Sequence, residues 1–459
     1  MVRRLVVIGG DAAGMSAASA ARRLAGPEQL QIVAFERGSY TSYSACGIPY
    51  HIGNRVADAD TLVVRSPTEF AAKQAIQARV HHEVTELDLD RRSVRVRDTH
   101  GGTEMWEGFD ALMVATGATP RRPDLPGIDA TGIFGVQTLD DGLAVRAFLE
   151  QRRPQQAAVV GAGYVGLELA EALCGWGVHV TLVESGPAPM STLDPDLGDM
   201  LTAAMRSFGM TVRLGETVTG FDTERGQVSA VVTNQGSVPA DMVILGLGVR
   251  PNTDLARAAG IPLGSSGAIA VDQQMRTHID GVWAGGDCAE KFHRVARRGV
   301  ALPLGTHANK EGRTAGINIA GGYATFPGVL GTAVTKVCNV EIGRTGLNER
   351  EARAAGYQSL AVTVDSTTRA GYYPGAKPIR TKIIAERGTG RLLGAQIVGE
   401  EGAAKRIDVL AMALWHHAGV EDILNTDLSY APPFSPVWDP VLIAARKAWK
   451  RVQADSSRR

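Results

Sequence analysis

The residue whose chemistry stands out is Cys46, in the segment 41–50, Thr-Ser-Tyr-Ser-Ala-Cys-Gly-Ile-Pro-Tyr. The other three cysteines, Cys174, Cys288 and Cys338, lie far away in the sequence. The Gly and Pro that follow Cys46 indicate a helix start, which favours the reactive thiolate. A lone sulfur has no partner in its own loop, so we expect it to react with a sulfur outside the chain. The alternative is a buried structural thiol, which is how we interpret the other three cysteines.

A glycine pattern typical of dinucleotide binding follows the apolar stretch 157–160. Gly161, Gly163 and Gly166 come first, then a helical pattern, then a second apolar stretch that ends at Glu184. Such glycines let a pyrophosphate approach the backbone at a helix N-terminus, and the acidic residue accepts hydrogen bonds from ribose hydroxyls. This complete order makes an ordinary glycine-rich turn the weaker interpretation. Because a carboxylate repels a 2′-phosphate, we predict NADH as the preferred nicotinamide, with NADPH possible.

The same order opens the chain, with the apolar stretch 5–8, then Gly9 and Gly14, and Glu36 at the end of the next strand. Asp11 occupies the middle position of this fingerprint, where a glycine usually allows the pyrophosphate to approach. An acid there is unfavourable unless its side chain points away. We predict a second dinucleotide site, the alternative being a Rossmann turn that binds nothing.

Two later segments favour FAD as the ligand of the first site. The strand pattern that begins at Leu112 ends in Ala115, Thr116 and Gly117, and another ends at Asp287. We expect Asp287 to lie at a helix start and to accept hydrogen bonds from ribityl hydroxyls. Taken alone, an Asp there would more often be a helix N-cap. Two nucleotide sites and one thiol suggest electrons moving from a nicotinamide through a flavin to Cys46.

Composition places limits on the protein class. The 459 residues suffice for about three domains, and Lys+Arg equals Asp+Glu at 48 each, which predicts no nucleic-acid partner. No apolar stretch approaches ~18 residues and no signal peptide opens the chain, so we expect no membrane insertion and a cytoplasmic location. Neighbours in the pairs His81-His82 and His416-His417 point apart, so no metal site is expected.

The patterns divide the chain into parts. The predicted parts are 1–119, the first portion of an FAD-binding domain; 120–245, an NAD(P)H-binding domain; 246–325, the second FAD portion; 326–446, a C-terminal domain; and 447–459, a polar tail that frays. Apolar runs over 210–249 predict a small antiparallel sheet. Strand patterns at 331–337, 360–364, 379–385 and 392–398, with a helix at 406–417, predict an α+β C-terminal domain.

The four motifs, in this order, resemble the flavin disulfide reductase superfamily over nearly the whole chain. Members such as glutathione reductase use two cysteines with four residues between them, and no cysteine stands at 41 or 51 here. The segment 42–50 resembles instead the single-cysteine coenzyme A-disulfide reductase branch, and so does 427–440, Asp-Leu-Ser-Tyr-Ala-Pro-Pro-Phe-Ser-Pro-Val-Trp-Asp-Pro. The resemblance implies an α/β fold of two Rossmann-like, glutathione-reductase-type domains and a C-terminal α+β dimerisation domain.

The resemblance also implies roles. Cys46 would form a mixed disulfide with coenzyme A, Tyr164 would gate the nicotinamide pocket, and Tyr430, with Tyr372 or Tyr373, would reach the active site across a homodimer interface. For the two adjacent tyrosines, a packed interface aromatic is an equal alternative. The residues implied to contact coenzyme A are Ser16, Arg23, Ser42 and Trp438. The further residues implied to bind cofactors are Gly10, Ala13, Arg37, Ser42, Val84, Val165, Gly248 and Ala308.

Departures from the branch concern the substrate pocket. A glutamine and an asparagine that contact coenzyme A in relatives are Ala20 and Ala45 here, and a lysine appears as Gln74. Related NADH peroxidases have a histidine where this chain has Ala12, which argues against a peroxidase. We therefore predict an NADH-dependent reductase of coenzyme A disulfide or a related small disulfide or persulfide. The alternatives are an NAD(P)H oxidase or quinone reductase and, less favoured, a redox-sensing binding protein.

Overall fold

The computed structural model describes residues 2–456, and the chain begins with a parallel sheet. Four strands of this sheet run parallel in the order β7-β1-β2-β3. A separate antiparallel sheet is formed by β4, β5 and β6. The elements are β1 (Arg3–Ile8), α1 (Ala12–Leu24), β2 (Leu30–Phe35), α2 (Ile48–Ile52), α3 (Pro67–Gln74), β3 (Ile76–Arg79), β4 (His82–Asp88), β5 (Ser93–Asp98), β6 (Glu104–Gly108), β7 (Ala111–Val114) and β8 (Ala118–Pro120).

A second parallel sheet follows, in the order β12-β11-β10-β16-β9. The elements are β9 (Ile133–Phe134), α4 (Leu139–Arg152), β10 (Gln156–Val160), α5 (Tyr164–Gly175), β11 (His179–Glu184), α6 (Pro195–Ser207), β12 (Thr211–Leu214), β13 (Val218–Glu224), β14 (Gln227–Thr233), β15 (Gly236–Pro239), β16 (Met242–Leu245) and β17 (Val249–Pro251). The antiparallel sheet predicted over 210–249 comprises only β13, β14 and β15. Strand β16 is buried at every residue, which suits the interior of the parallel sheet instead.

The chain then returns to the first sheet, with β17 pairing antiparallel to β8 at the crossing. The elements are α7 (Asp254–Ala258), β18 (Val282–Ala284), β19 (Lys291–His293), β20 (Arg298–Val300) and α8 (Gly305–Ile319). Strand β18 pairs parallel with β7. The helix expected at Asp287 is absent, because a turn follows β18 and α8 begins only at Gly305. Helix α8 packs so closely on α1 that a Cβ at Gly312 would lie 2.1 Å from the Ala13 carbonyl oxygen.

The C-terminal domain is a five-stranded antiparallel sheet in the order β21-β22-β25-β24-β23. The elements are β21 (Ala333–Val337), β22 (Val340–Gly346), α9 (Glu349–Ala354), β23 (Ser359–Thr367), β24 (Pro378–Glu386), β25 (Leu392–Gly399), α10 (Ile407–Trp415), α11 (Val420–Leu424) and α12 (Pro440–Ser456). The sequence patterns did not predict strand β22, because charged residues and glycines interrupt its apolar pattern.

The predicted polar tail is wrong for residues 447–456, which continue helix α12. Ala448 and Val452 are buried in the core of the C-terminal domain, and their burial holds this part of the helix in place. Residues 457–459 of the predicted tail lie outside the described residues. Within residues 2–456, no helix combines the length and apolar character that crossing a bilayer requires.

Candidate active site

The first glycine loop is closed by the carboxylate of Glu36. One carboxylate oxygen accepts from the Gly10 amide and the other from the Gly38 amide, both at 2.7 Å. Gly9 has a φ of +105°, and a Cβ there would lie 2.1 Å from the Ala115 carbonyl oxygen, so the turn requires glycine. The loop thereby presents the N-terminus of α1 at the carboxyl end of the sheet, where dinucleotides bind.

The second glycine loop repeats this arrangement atom for atom. Glu184 accepts from the Ala162 amide and the Gly186 amide, both at 2.8 Å. A Cβ at Gly161 would lie 2.5 Å from a carbonyl oxygen of the neighbouring strand end, whereas one at Gly163 would meet no atom nearer than 3.8 Å. The open side at Gly163 leaves room for a pyrophosphate, so the residues present fit a nicotinamide dinucleotide.

Tyr164 is the first residue of α5, and its hydroxyl is buried. Burial raises the pKa of this hydroxyl, while the nearby charge of Arg344 lowers it. Arg344 belongs to the C-terminal domain and donates to the Thr192 carbonyl oxygen at 3.0 Å. The C-terminal domain therefore reaches the second nucleotide site, which the sequence patterns did not indicate. The adjacent Val165 is 42% exposed.

Asp287 lies where the first sheet ends, and burial raises the pKa of its carboxyl group. The positive charge of Lys291 lowers the pKa of this carboxyl group. The Lys291 ammonium donates to the Gly286 carbonyl at 2.7 Å and lies 3.4 Å from the Glu311 carboxylate, which accepts from the Gly286 amide at 2.7 Å. This fully buried ion pair fixes the peptide before Asp287. The Asp287 carboxylate is only partly buried, and its oxygens can accept from the hydroxyl donors of a ribityl chain.

The strand end at Thr116 and Gly117 is locked by Asn252, a residue that the sequence patterns missed. The Thr116 hydroxyl donates to the Asn252 carbonyl at 2.6 Å, and the Asn252 side chain donates to the Thr116 carbonyl at 2.8 Å. A Cβ at Gly117 or Gly248 would meet no atom within 4 Å, which leaves space for a ligand beside both. The remaining predicted cofactor residues are placed around the first site's elements: Ala13 and Gly14 in the first turn of α1, Arg37 after β2, Val84 on β4 and Ala308 in the first turn of α8.

Cys46 is exposed and lies in a 3₁₀ turn directly before α2. Its loop is bound to the first glycine loop by two adjacent hydrogen bonds. The Ser42 amide donates to the Gly10 carbonyl at 2.9 Å, and the Tyr43 amide donates to the Asp11 carboxylate at 3.2 Å. The thiol and the predicted flavin loop are therefore parts of one local structure.

The protein groups around Cys46 disfavour ionisation of its thiol. Although the residue is exposed on one side, desolvation by the surrounding protein atoms, and then the carboxylates of Glu168, Asp287 and Asp11, raise the pKa of the thiol above its ordinary value. Helix α2 has only five residues, so the stabilisation expected from a helix start is outweighed. Glu168, on α5, accepts from the Thr335 hydroxyl at 2.6 Å and was not identified from the sequence.

The residues predicted to contact coenzyme A are dispersed over α1, the loop before Cys46 and the C-terminal domain. The Ser16 hydroxyl donates to the Asn309 side chain at 2.8 Å, and Arg23 is exposed. Gln74, which stands where relatives have a lysine, accepts from the Ser19 hydroxyl at 2.9 Å. Gln74 is thus hydrogen-bonded to a neighbouring helix. Together with Ala20 and Ala45, it is a difference from the relatives at the predicted coenzyme A pocket.

The predicted catalytic tyrosines lie in an exposed aromatic surface of the C-terminal domain. Tyr372 is 77% exposed, Tyr430 45% and Tyr373 36%. The neighbouring Tyr372 hydroxyl raises the pKa of Tyr430, so these two tyrosines lie close together. Trp438 is 48% exposed, with the Arg446 guanidinium 5.0 Å from its ring centroid. Exposed aromatic surfaces of this kind mark interaction sites.

Comparisons with known proteins agree with this geometry. Residues 3–312 match the family model described as pyridine nucleotide-disulphide oxidoreductase, and residues 332–440 match the dimerisation domain of the same family. A coenzyme A polysulfide/persulfide reductase of Pyrococcus horikoshii, which uses NAD(P)H, is 40% identical over 97% of this chain and 98% of that protein. An NADH oxidase of Methanocaldococcus jannaschii is 35% identical over 98% of this chain and 99% of that protein.

Among solved structures, the NAD-dependent persulfide reductase of A. fulgidus superimposes with a TM-score of 0.95 at 37% identity. The match covers 98% of this chain and 84% of that one. The predicted α/β architecture of two nucleotide-binding domains and a dimerisation domain is confirmed, and so is the reliance on FAD and NAD(P)H. The chain belongs to the pyridine nucleotide-disulphide oxidoreductase family.

Proposed function

We propose that this protein transfers electrons from NADH through FAD to Cys46, and from Cys46 to coenzyme A disulfide or a coenzyme A-linked persulfide or polysulfide. The observation that carries the proposal is the direct bonding of the loop of Cys46 to the first glycine loop. The exposed thiol has no neighbouring cysteine in its loop, so the oxidising sulfur comes from a substrate. The names of the relatives support a coenzyme A-linked substrate.

The chain's residues divide the work between binding and sulfur chemistry. Glu36 and Asp287 hold FAD, while Gly163 and Glu184 hold NADH. Bound FAD supplies the means of accepting a hydride from NADH and delivering two electrons to sulfur. The Cys46 thiolate attacks one sulfur of the substrate, forming a mixed disulfide and releasing the first thiol. Two electrons and a proton then restore the Cys46 thiolate and release the second sulfur product. One NADH and one proton thus yield NAD⁺ and two thiols from a disulfide, or NAD⁺, one thiol and hydrogen sulfide from a persulfide.

The functional unit that we propose is a homodimer in the cytoplasm. The match to a dimerisation domain and the exposed surface around Tyr372 and Tyr430 support it. In this proposal the Tyr430 hydroxyl approaches Cys46 of the partner subunit and gives a proton to the departing thiolate. Phe434 and Val437, which are 75% and 66% exposed, would be covered in the same contact.

A second candidate function is an oxidase that passes electrons to dioxygen, which the name of the Methanocaldococcus relative favours. A quinone acceptor belongs to the same class, because Cys46 matters less where electrons pass from the flavin directly to the acceptor. Steady-state oxidation of NADH by the purified protein distinguishes these functions when coenzyme A disulfide, coenzyme A persulfide, a quinone and dioxygen are offered separately. We expect the highest kcat/KM with one of the coenzyme A-linked sulfur substrates. Faster turnover with oxygen or quinone would reject the proposed function.

NADH is expected to be preferred over NADPH because Glu184 would face the 2′-phosphate. Removal of its charge by Glu184→Gln is expected to lower the KM for NADPH by about tenfold, which corresponds to ~1.4 kcal/mol of relieved repulsion. Initial-rate kinetics with both nucleotides measure the change. A wild-type KM that is lower for NADPH than for NADH would contradict this role of Glu184.

Glu36→Gln is the matched control, because Glu36 makes the same two amide contacts in the first loop. This variant should weaken FAD retention and leave the NADH-to-NADPH preference unchanged. A shift of nucleotide preference in Glu36→Gln would show that the two loops were assigned to the wrong cofactors.

A further inference from the structure

Asp11 stands in the first fingerprint where the middle glycine usually lies. Its backbone, at φ −108° and ψ −153°, is one that any residue adopts, so the position needs no glycine for its conformation. Asp11 is the N-cap residue of α1, yet its side chain makes no capping hydrogen bond to that helix. The ordinary explanation for an Asp at a helix start, an N-cap bond, therefore does not account for it.

The Asp11 carboxylate instead holds the cysteine-bearing loop. It accepts from the Tyr43 amide at 3.2 Å, next to the bond from the Ser42 amide to the Gly10 carbonyl. Ser42 has a φ of +48°, a left-handed conformation that costs a residue other than glycine ~1 kcal/mol and persists only where neighbours hold it. The bond from Tyr43 to Asp11 ties this segment, three residues before Cys46, to the first glycine loop. On its other side the segment is held by backbone bonds, among them that from the Ser44 amide to the Leu62 carbonyl at 2.8 Å.

The charged groups that face Asp11 are all acidic. Burial raises the pKa of Asp11 most, and the repulsion of Glu36 at the end of β2 and of Asp287 after β18 raises it further, while the amides of Tyr43 and Ala12 lower it. Together they raise the pKa of the Asp11 carboxyl to about 7. Titratable groups of the cysteine loop also face it, since Asp11 raises the pKa of both Tyr43 and Cys46. Asp11 therefore exchanges its proton close to neutral pH.

We propose that Asp11 is a positioning residue that couples the two loops: its carboxyl group stands at the helix start where the FAD pyrophosphate binds, and through the Tyr43 amide it holds Cys46 beside the FAD loop. The inference rests on the proposed function only in taking Cys46 as the reactive thiol. Because phosphate groups bind at the helix start that Asp11 opens, the protonated carboxyl group admits FAD. Loss of the Asp11 proton places a further negative charge beside Glu36 and the phosphates.

Amide hydrogen exchange of the holoenzyme tests whether the bond from the Tyr43 amide to the Asp11 carboxylate acts as a tether for the cysteine loop. Asp11→Asn keeps an oxygen acceptor for the Tyr43 amide without the charge, whereas Asp11→Ala removes both. Amides of residues 42–47 are expected to exchange roughly tenfold faster or more in Asp11→Ala than in the wild type, with Asp11→Asn close to the wild type. Equal protection of this segment in wild type and Asp11→Ala would overturn the tether, provided that the remaining peptides show an intact fold.

The pH dependence of FAD release tests whether the proton on Asp11 favours FAD binding. Diluted holoenzyme is brought to equilibrium at about pH 6 to 9, and free FAD is measured by its fluorescence. Because Asp11 ionises above about pH 7, the apparent Kd of the wild type is expected to rise with pH, by up to ~10-fold per unit. Asp11→Asn should remove most of this rise. Asp140→Asn is the matched control: Asp140 also accepts from a loop amide, that of Ser39 at 3.2 Å, but is not among the groups that shift the pKa of Asp11.

Failure of the Asp11 proposal and failure of the proposed function would give different results. A slope that survives in Asp11→Asn would assign the titration to another group, such as Asp287, and reject this role. A Kd of the wild type that does not change with pH would also reject it. Protein that retains FAD but does not reduce any sulfur substrate would reject the proposed function and leave the coupling by Asp11 standing.

Discussion

Replacement of Cys46 by serine is expected to abolish reduction of coenzyme A disulfide or persulfide while NADH still bleaches the flavin absorbance. A serine hydroxyl is not ionised at neutral pH and forms no disulfide, so the step that accepts the substrate sulfur has no substitute. The loss in kcat is expected to be at least roughly 10³-fold. Nucleotide binding should persist, because Cys46 makes none of the contacts of Glu36, Asp287 or Glu184.

Stopped-flow reduction by NADH and steady-state turnover measure the two half-reactions of Cys46→Ser separately. Cys174→Ser is the matched control, because Cys174 is a free, partly buried thiol whose pKa is also raised, to about 11. This control should turn over disulfide at the wild-type rate. Oxygen consumption by Cys46→Ser at the wild-type rate would show that dioxygen reduction bypasses the thiol. Undiminished disulfide turnover would eliminate Cys46 as the redox residue.

The nucleotide sites could be predicted from sequence because their chemistry is local. Each βαβ unit contains its glycines, its helix start and its carboxylate within ~30 residues, so one short stretch of sequence shows the complete arrangement. The sequence also shows that Asp11 replaces the middle glycine of the first fingerprint. What the sequence did not show is that Glu36 and Glu184 close their loops with the same two amide bonds.

The missed residues act through contacts between distant segments. Lys291 and Glu311 are charged residues that sequence patterns place on the surface, yet both side chains are fully buried because each bonds to the Gly286 peptide. Asn252 reaches the Thr116 carbonyl only because β17 pairs with β8. Glu168 approaches Cys46 from another domain. Such pairings depend on the tertiary fold, which no single window of sequence contains.

Tyr430→Phe is expected to slow disulfide turnover by about 10²–10³-fold while reduction by NADH stays fast. The substitution removes one hydroxyl and leaves the ring, so the exposed aromatic surface stays intact. The hydroxyl is the proton source that we propose for the departing thiolate, and Tyr372 shares a hydrogen bond with it. Tyr373→Phe is the matched control, because Tyr373 lies next to that pair without the bond. An equal loss in both variants would indicate a general effect on the interface.

Mixed dimers decide whether Tyr430 acts on the partner subunit. Cys46→Ser chains and Tyr430→Phe chains are each expected to be nearly inactive as homodimers. If each site combines Cys46 of one chain with Tyr430 of the other, a heterodimer contains one site with both substitutions and one site with neither. Subunit exchange should then restore about half of the wild-type activity per heterodimer, since one site of the two is intact. If both residues act within one chain, every site of the heterodimer carries one substitution. Absence of recovery, with exchange demonstrated by differently tagged chains, would therefore reject the shared site.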